Sequence, residues 1–326
     1  MAALDISEEE HLERLLRVAT CLATCGYGAQ VAQLAACARA FYSDAQVWGA
    51  QARHRGPRGR THLMHAALKG SVARMQYLLD RGAAADAGDV RGMTALMMAS
   101  LNDHLETVRC LVERGGVNLN TAIAAFSFTA LMMASAKGHL EIVRCLVERG
   151  SANVNAARAT DGRTALMMAS AEGHLQIVRC LIERGGANVN TAMTTDGCTA
   201  LIWASHKGHL ETVRFLVERG GANVNAARTT DGVTALMIAS EMGHLETVRC
   251  LVEQGGANVN AARTTDGHTS LMWASERGHL EIVRCLVEHG GANVNAARTA
   301  DGFTALMLAC KNIHLATVRF LVGRGA

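Results

Sequence analysis

The stretch Asp161-Gly-Arg-Thr-Ala-Leu-Met-Met-Ala-Ser-Ala-Glu-Gly-His-Leu-Gln-Ile-Val-Arg-Cys-Leu-Ile-Glu-Arg-Gly185 holds two short apolar segments divided by a glycine. The spacing predicts a first helix from about Thr164 to Ala171. Gly173 stops it, because glycine accepts the positive φ of a helix end. A second helix runs from about Leu175 to Glu183, with Leu175, Val178, Leu181 and Ile182 on one face. Gly185 and Gly186 end it. The segment that follows, up to Gly197, is rich in turn formers and suits a hairpin-like finger. Isolated helices under about 12–15 residues are marginal in water. Such a unit must therefore bury its faces against neighbours, which is the logic of a solenoid.

Neighbours of the right kind are present. Thr-Ala-Leu-Met recurs from Thr94, Thr129, Thr164, Thr234 and Thr304, with variants from Thr61, Thr199 and Thr269. The first step is 33 residues and every later one is 35. Fixed-period self-similarity of this kind marks a repeat architecture. The units, beginning near 59, 92, 127, 162, 197, 232, 267 and 302, predict an all-α solenoid of stacked helix-turn-helix pairs. They resemble the ankyrin repeat in Asp-Gly-x-Thr, in the Leu and Ala of the first helix, in Gly-His-Leu-Glu, in Val-Arg-x-Leu-Val and in Gly-Ala-Asn-Val-Asn. The family's Thr-Pro-Leu-His appears here as Thr-Ala-Leu-Met, which forgoes the helix-starting proline. The resemblance implies a protein-binding scaffold. It also implies that the histidine column His104, His139, His174, His209, His244, His279 and His314 ties down the inter-helix turns.

Composition excludes several classes. Of 326 residues, 49% are hydrophobic, only 4% are aromatic, and the net charge is +3. That balance favours neither nucleic acid nor anionic lipid, and no apolar run is long enough for a membrane span. The N-terminus begins Met1-Ala-Ala-Leu-Asp-Ile-Ser-Glu-Glu-Glu10, acidic where a secretory signal is basic. Cys110, Cys145, Cys180, Cys250 and Cys285 fill one column of successive units and read as free, buried thiols. Stacked helices lie about 8–10 Å apart, too far for disulfides. These features place the chain in the cytoplasm, with the nucleus as the alternative.

The motifs that could carry chemistry have structural readings. Histidines one repeat apart cannot share an ion that needs ligands at about 2 Å, so no metal and no cofactor is expected. The serines Ser135, Ser170, Ser205, Ser240 and Ser275 recur in a helix column, whereas a nucleophile is singular and paired with one base. The Asp-Gly pairs at Asp161, Asp196, Asp231, Asp266 and Asp301 are turn chemistry. Arg158, Arg228, Arg263 and Arg298 form a ladder on the fingers beside these aspartates. It is either a compensated edge or a contact for an acidic peptide. An enzyme is not expected.

Comparison of the units locates a candidate binding surface. Val-Arg-Cys-Leu-Val-Glu-Arg on the second helix recurs almost unchanged, exposed charges included. Three other columns vary. The residue before the repeat threonine is Met93, Phe128, Arg163, Cys198, Val233, His268 or Phe303, of which Phe128, Arg163, Val233, His268 and Phe303 are the candidate contacts. The second residue after the repeat leucine is Trp203 or Trp273 in two units. The pair before the turn supplies Lys137, Glu172, Lys207, Met242 and Arg277. The resemblance puts these columns in the concave groove, with Phe128, Trp203, Trp273 and Phe303 as apolar anchors.

The termini differ. Residues 1–52 predict a helical module and residues 53–60 a basic linker ahead of the 61–326 repeat domain. Residues 31–48 resemble the second half of an F-box, without its Leu-Pro start. That resemblance implies docking of a cullin-ligase adaptor through Leu15, Leu16, Phe41 and Trp48; the alternative is a cap on the first repeat. At the other end, Ile313 replaces the turn glycine and predicts a distorted turn, and the last unit stops without a finger.

Overall fold

The structure is a computed structural model that describes residues 57–123, 127–150 and 152–326. Helix α1 (His62–Lys69) and α2 (Val72–Asp80) form the first unit. The second is α3 (Ala95–Leu101) with α4 (Leu105–Arg114), and the third α5 (Ala130–Lys137) with α6 (Leu140–Arg144). Next come α7 (Ala165–Ala171) with α8 (Leu175–Arg179), and α9 (Ala200–Lys207) with α10 (Leu210–Glu218). Then follow α11 (Ala235–Met242) with α12 (Leu245–Arg249), and α13 (Ser270–Arg277) with α14 (Leu280–Glu288). The eighth unit is α15 (Ala305–Lys311) with α16 (Leu315–Gly323). In three units the second helix finishes as a π-helical turn, over Cys145–Arg149, Cys180–Arg184 and Cys250–Gln254. Odd-numbered front helices pack on one another, and the even-numbered back helices do the same.

The repeat threonine explains where each front helix starts. Its side-chain oxygen accepts a hydrogen bond from the backbone N–H three residues on, as Thr164 does from Met167 and Thr234 from Met237. This is N-capping, worth about 1 kcal/mol per helix. It lets the chain manage without the proline that the pattern lacks. Isolated antiparallel bridges such as Ala227↔Thr234 close the fingers as hairpins.

Two ladders tie unit to unit. In the histidine column, His209 Nε2 lies 3.1 Å from the Ala171 carbonyl and His244 Nε2 3.1 Å from that of His206. The second ladder joins asparagines: Asn155 Oδ1 accepts from Asn188 N at 2.7 Å, and Asn190 Oδ1 from Asn223 N at 2.7 Å. Between them runs a continuous core of Leu, Met, Ala, Val and Ile. The column cysteines are free and buried within it.

The expected distortion at Ile313 does not occur. Ile313 takes φ 60° and keeps the same bonds as the glycine turns, with His314 N donating to Ala309 O at 2.9 Å. His314 Nε2 also reaches the Glu276 carbonyl at 3.0 Å, so the turn is held from both sides. A β-branched residue in the left-handed region costs about 1–2 kcal/mol, and here that cost is stored as strain. Ile313 is 76% exposed and has little packing to lose. Ile313→Gly should therefore stabilise the chain by about 1 kcal/mol, after allowing for the more flexible unfolded state of glycine. Thermal unfolding checks this, and a lower midpoint would refute it. The last unit also leaves Met307, Leu315 and Val322 exposed. Met272, the counterpart of Met307 one unit earlier, is buried.

Candidate functional site

Fingers and front helices lie side by side along the array, and the aromatic side chains they carry do not stand alone. Arg163 lies over the Trp203 ring, 4.4 Å from the centroid. Arg263 lies over Trp273 at 5.1 Å, Arg158 over Phe128 at 5.4 Å and Arg298 over Phe303 at 5.6 Å. Each aromatic is half-buried. Stacked guanidinium and ring hold one another in place, which lowers the conformational cost of meeting a partner.

The finger arginines are also neutralised. Arg158 pairs with Asp161, Arg228 with Asp231, Arg263 with Asp266 and Arg298 with Asp301, in each case three residues on. Each aspartate also accepts the backbone N–H two residues further along, as Asp266 does from His268 at 3.1 Å. Arg263 holds the Asp266 carboxyl well below the usual carboxylate range. The ladder is thus a compensated edge, and its charge is not free to neutralise a run of phosphates.

Two depressions open side by side across units five to eight, sharing Arg263 and Trp273. One, of about 360 Å³, is lined by His268, Glu276 and Arg298 among others. The other, of about 280 Å³, is lined by His206, Val233, Ile238, Glu241 and Met242. Val233 and His268 do not project into the groove as a column of free side chains would. They are buried and form its floor. His268 stacks on Trp273 with centroids 4.2 Å apart, and its Nε2 lies 3.5 Å from Glu276. Burial pushes the His268 imidazole down, against the pull of Glu276 and Asp266. Lys137, Glu172, Lys207, Met242 and Arg277 are exposed at the helix ends, and Arg277 reaches Glu241 of the preceding unit at 2.9 Å.

The column nucleophiles are placed for packing. The serines are fully buried, and burial pushes the Cys250 thiol up to about 11. Cys198 is pushed up to about 12, first by burial and then by its hydrogen bond with Asp196. The repeated charges of the back helices have partners as well. Glu141 pairs with Arg144 at 2.9 Å, and Glu113 with Arg149 of the next unit at 2.8 Å. Their recurrence therefore has a structural cause beside any drift in the groove.

Among the described residues no helix is long and apolar enough to cross a membrane. Leu15, Leu16, Phe41 and Trp48 lie outside the described residues, so the F-box resemblance has no geometry to set beside it. No curated protein matches the chain. The family profile for ankyrin repeats (3 copies) matches residues 30–123, 116–193, 185–263 and 256–326. Its first match begins ahead of the first repeat threonine, Thr61. With that profile matched along most of its length and its units folded as stacked helix pairs, the chain belongs to the ankyrin-repeat family, whose repeats serve in general as protein–protein interaction modules.

Proposed function

We propose that the chain is a non-catalytic scaffold that holds a protein partner in the concave groove. The observation that carries this reading is the set of arginine–aromatic stacks along the groove, at Phe128, Trp203, Trp273 and Phe303. Rigid aromatics and arginines are the residues that dominate binding energy at protein interfaces. The two depressions flanking Trp273 offer room for partner side chains. A narrower alternative is a substrate receptor that shares this groove and docks a cullin-ligase adaptor through residues 1–52. A structural spacer would have no groove specificity.

The test is a double variant, Trp203→Ala with Trp273→Ala, compared with the intact chain by proximity labelling and quantitative pull-down. Truncating an interface aromatic costs about 2–4 kcal/mol, so partners retained by the intact chain should be lost by at least about 30-fold in affinity. Glu141→Ala on the back should retain them. Unchanged binding by a folded groove variant would overturn the proposal, and so would loss in the back variant alone.

A further inference from the structure

Among the described residues, one group of three metal-ligating side chains converges, away from the groove and outside the histidine column. Glu253, Cys285 and His289 place a carboxylate oxygen, a thiol sulfur and an imidazole nitrogen all within 4.8 Å of one another. Cys285 and His289 stand four residues apart along the back of unit seven, so their side chains share one helix face. Glu253 comes from the π turn that ends the back helix of unit six.

The repeat shows why this group forms only here. The same three positions recur as Glu113, Cys145 and Arg149, and as Glu148, Cys180 and Arg184. In both of those the glutamate and arginine make an ion pair across 36 residues. Glu253 and His289 stand in that same register. An arginine offers only donors, whereas a histidine offers a nitrogen lone pair. The change from arginine to histidine replaces a cross-unit ion pair with a set of one sulfur, one nitrogen and one oxygen ligand.

We propose that Glu253, Cys285 and His289 bind a zinc ion on the back helices, bridging the sixth and seventh units, with a water molecule as fourth ligand. Mixed sulfur, nitrogen and oxygen ligation suits this ion, at about 2.0–2.3 Å. A tetrahedral arrangement at those lengths sets ligands about 3.5 Å apart, so rotamer shifts of about 1 Å close the site. Glu253 and His289 are exposed and give the ion access, while Cys285 is buried and fixed. The thiolate is the ligating form of cysteine, so binding releases the Cys285 proton to solvent and tightens as pH rises.

Cobalt(II) titration of the full chain, followed by optical absorption, tests the site. The expected result is a sulfur-to-cobalt charge-transfer band with tetrahedral d–d bands at one equivalent, displaced by zinc. Cys285→Ala and His289→Arg should each abolish it, while Cys250→Ala retains it. His289→Arg restores the residue usual at this position, so its fold is secure. Second-shell changes alone weaken metal sites by about 10–100-fold, so loss of a ligand should cost more than about 100-fold in cobalt affinity. Zinc should raise the unfolding midpoint of the intact chain and leave that of His289→Arg unmoved. A chain without the thiolate band would overturn the proposal, as would a band that survives His289→Arg.

Discussion

Alanine at Ser100, Ser135, Ser170, Ser205, Ser240 and Ser275 together should stabilise the array by about 4–6 kcal/mol, near 1 kcal/mol per site. Each serine is 0% exposed on a front helix, and none of the six hydroxyls has a hydrogen-bond partner. A hydroxyl stripped of water with nothing in return costs about 1–3 kcal/mol. Alanine is also the better helix former by about 0.5 kcal/mol. Against this stand the dispersion contacts of one lost atom, each only about 0.1–0.2 kcal/mol. The position accepts alanine without rearrangement, because unit one already has Ala67 there, 0% exposed. Denaturant unfolding should show a higher midpoint with an unchanged slope, since the surface exposed on unfolding is the same. A lower midpoint would mean that the hydroxyls are bonded in solution and that the column is a working polar network.

That column shows how far the sequence could be read. Its recurrence identified small buried residues and excluded a nucleophile, but letters do not reveal whether a hydroxyl finds a partner. The helix pairs, fingers and histidine turns were legible because a 35-residue period repeats every local signal. The Asn-Val-Asn segments were read only as turn formers. Their cross-unit bonds, such as Asn225 Oδ1 with Asn258 N at 2.7 Å, depend on the register of neighbouring fingers. The groove was legible as variable columns and less so as a surface. Phe128 and Phe303 are half-buried under arginines, whereas Val233 and His268 in the same column form the floor. Burial there depends on the size of the neighbouring side chains, and no single column records that. The cluster at Cys285 was hidden for the same reason, since its third ligand, Glu253, comes from the unit before.

Gly197→Ala should destabilise the chain by about 2–3 kcal/mol and split its unfolding in two. Gly197 sits in a finger with φ +77°, and an added Cβ would lie 2.6 Å from the backbone nitrogen of Thr229 in the next finger. That nitrogen donates to the Asp196 carbonyl at 2.9 Å, so the methyl group would wedge open a bond that joins units five and six. The left-handed backbone costs alanine about 1–2 kcal/mol, and the parted hydrogen bond about 1 kcal/mol more. Gly302→Ala separates the two contributions. It has φ +72° in the same Asp-Gly turn and nothing within 4 Å of its Cβ, so it bears the backbone cost alone. Stability in such a stack is close to a sum of units and nearest-neighbour seams. A weakened seam should therefore let units one to five and units six to eight melt at different denaturant concentrations in Gly197→Ala, and as one in Gly302→Ala. Equal losses in the two variants would show that the fingers touch without coupling. A single transition in Gly197→Ala would assign the cooperativity of the array to the packed helices alone.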